Sequence, residues 1–87
     1  MDVPASELER QIVQLEEIKV VIRCQRSQMF PQYPYQRKAA GNTSVSEWIE
    51  TRIKPLIGSF EVDVIKGDGN APHGRTLLDT VRDSYHD

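Results

Sequence analysis

The chain has 87 residues, of which 38% are hydrophobic and 28% are charged, and its formal net charge is −2. These values suit one small domain covering 1–87 and exclude a largely disordered chain, and the single cysteine, Cys24, excludes an internal disulfide and favours a cytoplasmic location. No apolar run reaches the roughly 18–20 residues of a membrane helix, and the first residues lack the basic-then-apolar order of a signal peptide.

The first predicted element is an amphipathic helix that begins near Ser6. A serine followed three residues later by an acid, Glu9, is a typical helix start, because the hydroxyl accepts from a free backbone N–H. Leu8, Ile12 and Leu15 then fall on one face of the helix. The acidic side chains are predicted to lie elsewhere around it: Glu7, Glu9, Glu16 and Glu17.

Residues 18–24 are predicted to form a strand, because they are rich in β-branched side chains and place alternate apolar residues on one face. The alternative is that they prolong the first helix and give a mostly α-helical protein. Lys19 and Arg26 would interrupt the apolar stripe of that longer helix, and Val20 and Val21 would fall on its wrong side. The strand is therefore favoured.

The second helix is predicted to begin at Ser44, where a serine again precedes an acid, Glu47, by three residues. Apolar residues follow at three- and four-residue spacings, and Gly58 is a natural stop. Pro55 is expected to loosen the last turn. Trp48 either anchors this helix against the sheet or, if exposed, serves as a hot spot for protein binding.

The C-terminal part is predicted to contain a strand and a helix. Apolar residues alternate with acids over 60–65 as far as Val64, which is the period of a half-buried strand. The last helix is predicted to begin at Thr76, three residues before Asp79, with Val81 on its apolar face.

In chain order these elements predict a small single α/β domain: helix, strand, long loop, helix, strand, loop, helix. A strand, a crossover helix and a second strand usually form a right-handed parallel βαβ unit, so the two strands are predicted to be parallel. Two parallel strands make a thin core, because such strands need cover on both faces. The long loop is therefore expected to add a strand, or the chain to form a homodimer or to pack against another protein.

Two loops carry the candidate site. Ligands bind beyond the carboxyl ends of the strands in open α/β sheets, and here those ends lead into 25–43 and 67–75. Gly41 and Gly74 precede two helix starts whose free N–H groups suit an anion, although both glycines also fit plain turns. The predicted binding residues on this rim are Arg26, Tyr33, Tyr35, Arg37, Lys38, Asn42, His73 and Arg75.

The favoured function is a non-enzymatic protein-interaction or regulatory module that uses this rim, with another protein or a second copy as its partner. The alternative is binding of a phosphate-bearing ligand or single-stranded RNA, because residues 18–46 carry five bases and no acid. The rings and bases of that alternative are Tyr33, Tyr35, Arg37 and Lys38.

A third hypothesis is a small nuclease, with His73 as general base and Arg75 stabilising the transition state. It lacks an evident second acid or base and is not favoured. The segment 67–70 superficially resembles a calcium loop but lacks the alternating oxygen ligands and the closing glutamate. The sequence therefore predicts no metal and no cofactor.

Overall fold

The computed structural model describes residues 2–25 and 27–85. It contains short strands in two antiparallel pairs, with helices packed around them. The strands are β1 (Asp2–Pro4), β2 (Lys19–Arg23), β3 (Met29–Pro31) and β4 (Glu61–Ile65). The helices are α1 (Ala5–Glu16), α2 (Val45–Trp48), α3 (Lys54–Ile57) and α4 (Leu78–Asp83). A π-helical turn, Ile49–Ile53, joins α2 to α3, so that 45–57 form one central helix.

Both predicted strands are confirmed, but their predicted parallel direction is wrong. β2 occupies the segment that the alternative assigned to a longer helix, and α1 ends before Glu17, whose φ of 60° is left-handed. β2 and β4 pair antiparallel, from Lys19 opposite Ile65 to Arg23 opposite Glu61. β1 and β3 form the other antiparallel pair, so the long loop does add a strand.

The connection between β2 and β4 explains the antiparallel direction. After β3 the loop runs back to the start of β2, where the backbone N–H of Ala39 donates to the Glu16 carboxylate at 2.8 Å. The central helix then crosses again and returns the chain to β3, where the Phe30 and Phe60 rings meet edge to face at 5.6 Å. Because the chain crosses the molecule twice, it enters β4 beside the end of β2.

Of the three predicted helix starts, the structure confirms the one at Ser44. The Ser44 hydroxyl accepts from the backbone N–H of Glu47 at 3.2 Å. α1 begins slightly earlier than predicted, after Pro4, and α4 begins after Leu77 rather than at Thr76. The residues in the capping positions of these two helices have extended backbone: Pro4 belongs to β1, and Leu77 forms a β-bridge with Ser44.

Pro55 disturbs the central helix. Its nitrogen carries no hydrogen, so the carbonyl of Thr51, four residues earlier, receives no helical bond from it. The helix widens into the π-helical turn, and the Tyr35 hydroxyl donates to the Thr51 carbonyl at 3.2 Å. Gly58, with a φ of 62°, ends the helix in a conformation that glycine adopts without strain.

The core lies between α1, the central helix, α4 and the β2–β4 pair. Trp48 is fully buried, so of its two predicted roles the structure shows the anchor. The Tyr85 hydroxyl closes the end of the β2–β4 ladder: it accepts from the Lys19 N–H at 2.9 Å and donates to the Ile65 carbonyl. Other fully buried apolar side chains are Leu8, Ile12, Ile18, Ile53, Leu78 and Val81.

Candidate functional site

The two loops of the predicted rim meet at their C-terminal ends. The Thr43 carbonyl accepts from the Leu78 N–H at 2.9 Å, and the Thr76 carbonyl accepts from the Val45 N–H at 2.8 Å. The first backbone N–H groups of α2 and α4 thus donate hydrogen bonds to carbonyl oxygens of the chain itself. These are the groups that the anion hypothesis requires, so an anion there would have to displace internal hydrogen bonds.

Tyr33 and Tyr35 pack together against the central helix. Their ring centroids are 5.1 Å apart, and the Arg52 guanidinium lies 4.3 Å from the centre of the Tyr35 ring. The Tyr33 hydroxyl donates to the Glu16 carboxylate, and that of Tyr35 donates to Thr51 as described above. Both tyrosines are half-buried, so they hold the loop on the helix and do not stand free as a platform for bases.

The other predicted site residues are spread along the two loops. Lys38 forms an ion pair with Glu17. His73 Nδ1 accepts from the backbone N–H of Arg75 at 3.1 Å, a bond within the loop itself. Arg26 lies outside the described residues, and the RNA and nuclease hypotheses stay predictions. The exposed members of the set are Arg37, Lys38, Asn42, His73 and Arg75.

Glu16 is a fully buried carboxylate at the end of α1, which corrects the prediction that its side chain lies away from the apolar face. Its Oε1 accepts from the backbone N–H of Ala39 at 2.8 Å and from Arg82 at 3.2 Å. Its Oε2 accepts from Arg52 at 2.8 Å, from the Trp48 indole N–H at 3.2 Å and from the Tyr33 hydroxyl. We call this set of contacts the Glu16 network. It joins α1 to the long loop, the central helix and α4.

The donors of the Glu16 network lower the pKa of Glu16. Burial alone raises the pKa of a carboxyl group, but here hydrogen bonds from three neighbours and the positive charge of Arg52 outweigh burial. The pKa of Glu16 therefore lies below the ordinary value of 4.5. Burial and the hydrogen bond to Glu16 together raise the pKa of the Tyr33 hydroxyl.

Acidification is expected to remove the stability that the charged Glu16 carboxylate contributes to the fold. A group whose pKa is lower in the folded than in the unfolded chain stabilises the fold above its unfolded pKa, and the contribution is lost as the pH falls through the folded pKa. The carbon-13 shift of the Glu16 carboxyl, followed by NMR over about pH 2–7, should titrate with a midpoint below 4.5. A midpoint at or above 4.5 would show that the network does not favour the charged form.

The Glu16 network is structural rather than reactive. The carboxylate has no exposed surface, so a substrate has no access to it. Every buried side-chain nitrogen and oxygen among the described residues has a hydrogen-bond partner. The sequence did hold a signal for this burial, because Glu16 continues the stripe of Leu8 and Ile12 at four-residue spacing.

An apolar groove of about 310 Å³ lies beside β4, and we call it the edge groove. The central helix contributes Val45, Ile49 and Glu50 to its lining, and β4 contributes 62–64. The loop that follows β4 closes the far side with Ala71, Pro72 and Gly74. None of the described residues that line it belongs to β2, so the edge groove runs along the opposite edge of β4.

The backbone of β4 directs two N–H groups toward this edge. In an antiparallel pair, residues that bond the partner strand alternate with residues whose N–H and C=O point to the opposite edge. The Ile22 N–H donates to the Glu9 carboxylate at 2.7 Å and not to β4. The backbone groups of Ile22, and of Val62 which lies opposite it, therefore point away from the partner strand. Val64, two residues further on, has the same orientation. No described strand pairs with this edge of β4.

No family model, curated protein or solved structure matches the chain. Within 2–25 and 27–85 no three His, Cys, Asp or Glu side chains are grouped so as to hold a metal ion. None of the helices in the described part of the chain is long and apolar enough to cross a membrane. The fold and the site define a small α/β domain with an open sheet edge beside an apolar groove.

Proposed function

We propose that the protein is a small non-enzymatic interaction module that takes up an extended segment of a partner protein as an additional strand on β4. One observation carries the proposal: the unpaired edge of β4 directs the N–H groups of Val62 and Val64 toward an apolar groove. Strand addition obtains affinity from backbone hydrogen bonds and specificity from pockets for alternate side chains. The edge and its groove offer both.

This proposal keeps the class of function that the sequence favours but moves the contact surface. The predicted loop 67–75 borders the edge groove through Ala71 and Pro72, whereas no described residue of 25–43 lines it. An open edge strand invites pairing with other chains and is usually protected by short length or by charge. β4 is short and carries Glu61 and Asp63, which discourage indiscriminate pairing and leave a complementary partner acceptable.

Filling the edge groove is expected to abolish binding of such a segment. Ala71→Trp places a large ring in the groove from an exposed position, so the buried core is left intact. The probes are peptides selected from a random phage-displayed library against the folded chain, titrated into isotopically labelled protein and followed by amide NMR. We expect shifts at Val62 and Val64, and at least about tenfold weaker binding to the variant. Ala40→Trp, at an exposed alanine outside the groove, is the matched control.

Two results would contradict strand addition at β4. One is selected peptides that leave the amide signals of Val62 and Val64 unchanged. The other is equal binding to the Ala71→Trp and Ala40→Trp variants. Shifts confined to exposed residues of the two loops, such as Arg37 and Arg75, would return the contact surface to the predicted rim.

A further inference from the structure

We infer that the segment accepted by β4 is basic, with lysine or arginine at alternate positions and small apolar residues between them. This inference rests on the proposed strand addition and supplies the chemistry of the partner. The charges around the edge groove, the alternation of side chains along β4 and the poor fit of a second copy all favour it.

The edge groove carries negative charge on its lining. Glu50 lines the groove, and Glu61 is exposed at the start of β4. Asp63 also borders the groove, although its carboxylate lies on the face of the strand away from Val62 and Val64. Among the described residues that line it, none is lysine, arginine or histidine. Arg23 of β2 pairs with Asp63 at 2.5 Å and lies opposite Glu61, so it offsets part of this charge, but it approaches from the β2 side and not from the open edge. The open edge is therefore electrostatically complementary to a basic strand.

The alternation of side chains along β4 fixes what the added strand must present. Val62 and Val64 pack toward the core, so Glu61 and Asp63 lie on the other face of the strand. Residues of an added strand opposite the two valines would enter the groove beside Ile49, and its volume of about 310 Å³ suits small apolar side chains. Residues opposite the two acids would lie beside carboxylates, where a cross-strand pair of opposite charge is favourable.

A second copy of the chain fits this edge poorly. Two β4 edges pair antiparallel only in registers that match Val62 or Val64 with one another, because these residues carry the outward N–H groups. One such register places Asp63 opposite itself, and another places Glu61 opposite Asp63; like charges directly opposite each other are destabilising. The remaining register, Val64 opposite Val64, overlaps only 63–65. A basic segment of another protein avoids all three problems.

Two short capped peptides test the inference, one alternating lysine with valine and the other alternating glutamate with valine. Each is titrated into the labelled full chain at low salt, with the amide shifts of Val62 and Val64 as the readout. We expect at least about tenfold tighter binding of the lysine peptide, and loss of this preference at high salt because the charges are then screened.

Matched variants locate the source of the preference. The double variant Glu50→Gln/Glu61→Gln removes two acids at the open edge, and the preference for the lysine peptide should fall at least about threefold. The double variant Asp2→Asn/Asp83→Asn neutralises two exposed acids outside the groove and should leave the preference unchanged. An equal effect of the two neutralisations would mean that the net charge of the protein, and not this edge, attracts the peptide.

The outcomes separate this inference from the proposed function. Equal binding of both peptides at Val62 and Val64 would overturn the basic partner and leave strand addition standing. If neither peptide binds, the library-selected peptides decide: alternating basic residues in them support the inference, and their absence overturns it. If no selected peptide shifts those amides, the proposed function itself fails. Shifts that depend on protein concentration alone, with a dimer in sedimentation, would identify a second copy as the occupant.

Discussion

Replacing Glu16 with alanine is expected to destabilise the fold by about 3–5 kcal/mol, the usual cost of removing one partner from a buried ion pair. Arg52 and Arg82 would keep their charges beside the vacated position, with side chains only 22% and 11% exposed. The Trp48 indole would lose the acceptor of its N–H. Glutamine at the same position restores some hydrogen bonds but not the charge, so it should cost less than alanine.

Urea unfolding followed by circular dichroism measures this loss, and the neighbouring residue provides the control. Glu17 is exposed and pairs with Lys38, so Glu17→Gln should change the free energy of unfolding by less than about 1 kcal/mol. A domain of 87 residues has a total stability of about 4–13 kcal/mol, so the alanine variant could be unfolded at equilibrium. Tyr33→Phe removes one donor and keeps the measurement accessible, with an expected loss of about 1–2 kcal/mol. Equal stability of the Glu16 and Glu17 variants would contradict the network's role.

β2, β4 and the central helix could be predicted from the sequence because their signals are short-range, whereas the three-residue strands β1 and β3 have no such signal. Alternating apolar residues mark β2 and β4, and the Ser44 cap marks the start of α2. The direction of β4 could not be predicted in this way, since it depends on whether the chain crosses the molecule once or twice between Arg23 and Glu61. The contact that sends the chain back, Ala39 to Glu16, joins residues 23 positions apart, and no local pattern encodes it.

The edge groove, on which the proposed function rests, could not be predicted from the sequence. The predicted rim requires parallel strands, and the antiparallel pairing removes the shared carboxyl end on which the prediction depends. The open edge of β4 follows only from pairing details such as the Ile22 bond to Glu9. Tyr35 is a predicted binding residue, yet its hydroxyl donates to the Thr51 carbonyl, to which Pro55 has no N–H to donate. A proline late in a helix is a sequence signal for such a donor, although it does not reveal which side chain supplies it.

Trp48→Ala is expected to cost about 3–5 kcal/mol, the same range as Glu16→Ala. Trp48 is fully buried, and its side chain combines apolar packing with a hydrogen bond of 3.2 Å to the Glu16 carboxylate. Leu77, which is 43% exposed, is the matched control, because its truncation should cost less than about 1 kcal/mol. Circular dichroism must follow the unfolding, since the substitution removes the only tryptophan of the chain.

Trp48→Phe separates the two contributions. Phenylalanine keeps most of the apolar contact and loses the indole N–H, while Oε2 of Glu16 still accepts from Arg52 and Tyr33. The expected loss is therefore about 1–2 kcal/mol, well below that of alanine. A loss as large as that of alanine would mean that the indole bond, and not the packing, anchors the central helix. A loss near zero would mean that the remaining donors suffice, in which case the partly buried Arg52 and Arg82 carry the network's contribution to stability.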